Sequence, residues 1–285
     1  MTTRKAVILL SVAIGLLLTT GSYLFEVKIT PRKLVPPTVE ELTQKVAPAE
    51  GYTVDVVWGD VGKRLVETGA VDLEKYRGIY SENLDYLTQS KGEGITINKD
   101  NAYFWVNTLW ALGLVQRSDV LEGGAMAQYG DDLGNFASTG GWTLGTKDAL
   151  ELYSSAEVVP LTPEQHKMVM TITQGIYRPC CDNSAAFPDC NHGMAILGLV
   201  ELMVSQGFSE EEIYEAALAF NSYWFTQSYV DLAYYFKMRE GTNWSRVDPK
   251  RVLSSQFSSA SGFYAIKQII GSIPGAPTAG ASCGA

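Results

Sequence analysis

The sequence predicts a mainly α-helical protein: a single helical domain with at most one or two short strands, behind an N-terminal transmembrane helix. Three observations predict it. Twenty residues from Ala6 to Phe25 carry no charge, enough apolar chain to cross a hydrocarbon core of about 30 Å as a helix. Beyond residue 60, apolar residues recur mainly at helical spacing, with capping residues where helices must start. Strand-like alternation is confined to "YTVDVVW", residues 52–58.

The chain opens with residues 1–5, a cytoplasmic stub whose Arg4 and Lys5 precede the apolar segment. Residues 6–25 read as an uncleaved signal anchor, because the apolar run outlasts a signal-peptide core and no small-x-small motif closes it. Cleavage near "LTTGS" is the alternative, and would leave a secreted protein. A short basic N-terminus stays inside, so the domain is expected outside the cytoplasm, although Lys28, Arg32 and Lys33 weaken the charge asymmetry. Residues 26–50 contain four prolines and several charges, the composition of a stalk, with a short helical piece in "TVEELTQKV".

The helical domain is expected over residues 51–270. Asp72 caps one of its first helices. "NKDNAYFWVNTLWALGLV", residues 98–115, is a buried helix started by Asn98 or Asp100, with Phe104, Trp105, Leu109 and Leu112 in the core. Residues 122–145 are glycine-rich and read as a surface loop. Asp131 and Asp132 there match no calcium loop. Pro163 occupies a first helical turn, and that helix ends before Pro179. After a loop over 180–188, a helix begins at Asp189 or Asn191 and stops at Gly207. Glu201 and Ser205 mark a solvent strip on it, or Glu201 is a buried acid with a raised pKa. Ser209 and Glu212 form a capping box for the next helix, breakable at Asn221-Ser222. Eight aromatics between Phe220 and Phe236 make a thick core. Residues 271–285 are a Gly/Pro/Ala tail that includes Cys283.

Several function classes drop out. With a net charge of −9 and no Lys/Arg cluster, the chain has no surface for nucleic acid. No glycine pattern cradles phosphates, so no nucleotide cofactor is expected. There is no G-x-S-x-G elbow, and two histidines leave little material for a catalytic dyad. The chain reads more as a binding protein than as an enzyme.

What remains is "RPCCDNSAAFPDCNHGM", residues 178–194. Three of four cysteines and one of two histidines fall in the spacing Cys180-Cys181-x8-Cys190-x-His192. Three thiolates and an imidazole are a soft donor set of the right number for Zn, and also suit Cu(I). Cys190 and His192 stand at a helix start, where the dipole favours thiolate over thiol and neutral imidazole over imidazolium. Arg178 is placed to hydrogen-bond a thiolate, and Asp182 or Asp189 to orient the imidazole. Cys283 is a mobile auxiliary ligand or resolving thiol. Met194 and the pair His166 and Met170 are further soft donors, each with a plain core or surface reading beside it. The same cysteines support two rival readings: a thiol–disulfide redox protein, and a disulfide-stapled interaction domain. The partners implied are the membrane through residues 6–25 and a protein that exchanges metal or thiols.

Overall fold

The computed structural model describes residues 36–273 and Gly275; the expected anchor at 6–25, residues 26–35 of the stalk and Cys283 lie outside them. The described part is mainly helical with a two-stranded sheet. Among the described residues no helix is long and apolar enough to cross a membrane.

The first helix, α1 (Val39–Val46), forms inside the segment expected as stalk. Thr38 and Glu41 build a reciprocal capping box, and Leu42 and Val46 are buried, so the packed body starts before residue 51. Strand β1 (Tyr52–Val54) is shorter than the alternating pattern suggests. Its partner β2 (Ile95–Ile97) pairs antiparallel in the register Tyr52 to Ile97 and Val54 to Ile95. Val54, Ile95 and Ile97 are buried, while Thr53 and Thr96 share a hydroxyl hydrogen bond of 2.8 Å on the outer face. Between the strands lie α2 (Val61–Thr68) and α3 (Leu73–Ile79), the latter capped by Asp72 as its sequence implies.

The core is built on α4 (Ala102–Val115), buried almost all round. It begins later than "NKDN" suggests because the Asn98 side chain accepts from the Asp100 and Asn101 N–H groups and closes a turn before the helix. Short helical turns at Asp119–Glu122 and Ala149–Leu152 follow, with a 3-10 segment, Ala125–Asn135, inside the glycine-rich stretch expected as a loop. Next come α5 (Pro163–Gln174), with a Thr162–Gln165 capping box and Pro at its start, and α6 (Asn191–Ser205). Helices α4 and α6 form the largest helix–helix interface. They meet backbone to backbone: a Cβ on Gly198 would lie 2.7 Å from the Gly113 nitrogen. Only glycine at both positions lets the two axes come this close.

Helices α7 (Glu210–Trp224) and α8 (Thr226–Glu240) are separated at Phe225, with φ −130° and ψ 46°, rather than at Asn221-Ser222 where the sequence allows a break. Helix α1 packs on α8. The last helix, α9 (Ala260–Ile270), is capped by Ser259 and also packs on α8. Phe220, Tyr229 and Phe236 are fully buried, so the aromatic run is core.

Glu201 departs from the solvent strip that its sequence neighbours favour. It is 0% exposed on α6, and neither carboxylate oxygen has a hydrogen-bond partner. Burial pushes its pKa well above the usual carboxyl range. The unfolded chain releases this proton near about pH 4.3, whereas the native chain keeps it. The native state then binds more protons, so stability falls as pH rises above that value, by up to about 1.4 kcal/mol per pH unit. Glu201→Gln should flatten that slope between about pH 5 and 8. Urea unfolding across this range checks it, and parallel curves for the two proteins would contradict it.

Candidate metal centre

The centre is made by a loop between two well-capped helices. Helix α5 stops at Gly175. The chain is then tied down by Tyr177 N–H to the Leu253 carbonyl (2.8 Å) and Ala185 N–H to the Ile176 carbonyl (2.8 Å). Pro179 and Pro188 are buried at the two ends of the turn that carries the cysteines. Cys190 is the N-cap of α6, and its sulfur accepts from the Gly193 N–H at 3.4 Å. A helix start thus places one sulfur, and the folded-back loop brings up the other two.

The three sulfurs form a triangle with edges of 3.5 Å (Cys180 to Cys190), 3.8 Å (Cys181 to Cys190) and 4.0 Å (Cys180 to Cys181). All three cysteines are free and partly buried. An ion held tetrahedrally by bonds of about 2.3 Å spaces its sulfurs about 3.8 Å apart. The triangle therefore already has the spacing that a single soft ion needs. Cys180, Cys181 and Cys190 lie close enough to hold a metal ion, and among the described residues they are the group that converges in this way.

Beneath the triangle lies Arg178, fully buried. Its guanidinium spans the loop: Nε donates to the Cys190 sulfur (3.2 Å), Nη1 to the Asn183 carbonyl (2.8 Å) and Nη2 to Asp189 Oδ1 (2.9 Å). Asn183 Nδ2 donates to the second oxygen of Asp189 at 2.7 Å. A side chain at Gly193 would collide with this guanidinium, which gives that glycine its reason. The electrostatics follow from the contacts. Hydrogen bonds from Cys180 and Cys181, with Arg178 beside them, hold the Cys190 thiol well below its usual pKa. Cys180 is raised by its bonds to the other two sulfurs and by burial. Cys181 is lowered by its bond from Cys180, but Cys190 and burial outweigh that and push it up to about 12. The contacts thus favour the thiolate at Cys190, which has two neighbouring sulfurs, a guanidinium and a backbone N–H around it.

The other candidate residues lie elsewhere. His192 is buried on the second residue of α6, its ring centroid 4.4 Å from that of Phe225 and 5.6 Å from that of Trp224. Burial lowers its pKa to about 4, so the imidazole is neutral, and it does not join the three sulfurs. Asp189 takes Arg178 and Asn183 in place of the imidazole. Asp182 accepts from the Ser261 N–H and hydroxyl, both at 2.7 Å, fastening the loop to the start of α9. Met194 is buried in the α4–α6 interface. His166 Nδ1 stands 3.9 Å from Asp119 without a hydrogen bond, and Met170 packs at the core edge. Cys283 is outside the described residues.

Sequence reasoning missed three supports. Ala260 N–H binds the Cys181 carbonyl at 3.0 Å. The glycine-rich segment is joined to the cysteine loop by Ser138 N–H to the Asp189 carbonyl at 3.1 Å. Beside that joint Tyr129, Phe136 and Phe187 form an edge-to-face cluster with centroids 4.9–5.7 Å apart. None carries a motif, and only the fold brings them together. Compared with protein-family models, curated proteins and solved structures, the chain matches none.

Proposed function

We propose that this protein binds one soft metal ion, Zn or Cu(I), through the sulfurs of Cys180, Cys181 and Cys190. The observation that carries this is the sulfur triangle, whose edges of 3.5–4.0 Å match those around a single thiolate-bound ion. Arg178 supports it: a fixed cation against Cys190 offsets part of the charge that gathers when three thiolates meet. Gly193 N–H adds a second donor to the same sulfur. Arg178 then acts as the partner that orients a ligand and tunes its donor strength.

The placement outside the cytoplasm is part of the same proposal and rests on the uncharged run from Ala6 to Phe25. In that setting a site of three reduced thiols would depend on its ion for protection against oxidation. A second reading has its own observation. Cys180 and Cys190 are 3.5 Å apart, and an external oxidant that takes two electrons, with two protons lost to solvent, would close that gap to the roughly 2.05 Å of an S–S bond and leave Cys181 as a free thiol.

Elemental analysis separates the two. The full chain, purified with a phosphine reductant and loaded with Zn or Cu(I), should retain about one equivalent of ion through gel filtration. Thiol titration of the loaded native protein should find Cys180, Cys181 and Cys190 unreactive, and denaturation with chelator should restore them. Retention of no ion, with two thiols lost on exposure to air, would replace the metal reading with the disulfide one.

A further inference from the structure

We infer that the ion bound here keeps one coordination position open, and that this position takes a thiolate from outside the site, making it a point of metal exchange. This rests on the three-thiol reading above and goes one step beyond it. Zn completes a tetrahedron, so three sulfurs leave one position unfilled. Cu(I) is content with three sulfurs but can add a fourth on the way to another ligand set.

The neighbouring donors are placed elsewhere. The His192 ring packs at a tilt against Phe225, and Trp224 closes another side of it. Asp189 is held by Arg178 and Asn183, and Asp182 by Ser261. Arg178 turns its three nitrogens to Cys190, Asn183 and Asp189. Among the described residues, then, three donors converge. The carboxylates and the guanidinium around them already have partners, and His192 Nδ1, buried without one, is not among the converging donors. The three cysteines are only partly buried, and the flanking Asp182 and Asn183 are exposed, so an outside ligand can reach the ion.

The chemistry of the centre selects that ligand. Three anionic sulfurs donate strongly to the metal, which leaves it a poor acid towards a bound water and a good partner for another soft donor. A thiolate fits. As the new metal–sulfur bond forms, the incoming thiol gives its proton to solvent. Release follows when one cysteine–metal bond breaks and that cysteine takes a proton back, with no change of oxidation state. Cys190 is the anchored ligand, held by Arg178 and the Gly193 N–H. The bond that breaks is therefore to Cys180 or Cys181.

The probe is cobalt(II) added to the purified full chain in a non-thiol phosphine reductant. Its sulfur-to-cobalt charge-transfer absorption scales with the number of bound thiolates. The expected result is a three-sulfur intensity that rises by about one third on adding 2-mercaptoethanol. A response to that small thiol alone points to small-molecule exchange. An equal response to a thiol carried on a polyethylene glycol chain points to a protein cysteine. A four-sulfur intensity before any addition, falling by about a quarter in Cys283→Ala, would overturn the inference, because the chain would close its own site. So would a three-sulfur spectrum indifferent to thiol, with His192→Ala showing whether that imidazole fills the fourth position. Failure to bind cobalt, Zn or Cu(I) at all would remove the three-thiol reading itself, which none of the other outcomes does.

Discussion

Cys190→Ser should lower the affinity for Zn by at least about 100-fold while leaving the fold intact, because the substitution removes a ligand and keeps a cap. Loss of a group that merely supports a ligand costs 10–100-fold, so loss of the ligand itself costs at least about that much. Cys190 is also the sulfur nearest to both of the others, and the one held by Arg178 and the Gly193 N–H. A serine hydroxyl is a harder and weaker donor on a shorter bond. It is, however, a better N-cap than cysteine, so α6 should lose nothing at its first turn. Competition against a chromophoric chelator gives the affinity, and circular dichroism gives the fold. Unchanged affinity in a folded variant would mean that the ion, if any, sits elsewhere.

Much of the helical frame was legible because caps are local chemistry. Asp72, Pro163 and the Ser209–Glu212 box each act within four residues of where they stand. The convergence of three cysteines was legible for a similar reason: a proline-bounded loop returning to a helix start is a short-range event. Strand β2 was not, since its pairing with β1 joins residues more than forty positions apart and each strand has only three residues. Nor was the burial of Glu201. Its helix is apolar on every side, and nothing in α6 itself tells which strip meets α4. The orientation of His192 was hidden for another reason. It is decided by Phe225, which sits at a break between α7 and α8 that no proline or glycine announces. A donor's spacing in sequence places its backbone, but the aromatic neighbours decide where its ring goes.

Arg178→Met should cost about 3–5 kcal/mol of stability, the range for removing one partner of a buried charge pair. For a domain of this size that is a fall in Tm of roughly 6–20 °C. The methionine stem can refill much of the volume, so the loss is mainly electrostatic. Three acceptors lose a donor at once: the Cys190 sulfur, the Asn183 carbonyl and one oxygen of Asp189. Asp189 keeps only Asn183, and its carboxylate is four-fifths buried. If the carboxylate is what suffers, Asp189→Asn in the same chain should recover part of the loss, giving a coupling energy of about 1–3 kcal/mol in a double-mutant cycle. Zn at about 100 times its Kd should return up to about 2.7 kcal/mol, because binding adds to native stability alone. That return would be missing from Cys190→Ser. Thermal melts of the single and double variants, with and without Zn, test these together. A loss below about 1 kcal/mol in Arg178→Met would show that the guanidinium is replaceable. The loop would then be held by its backbone ties to Leu253, Ile176 and Ala260, and the charge under the sulfurs would serve the ion rather than the fold.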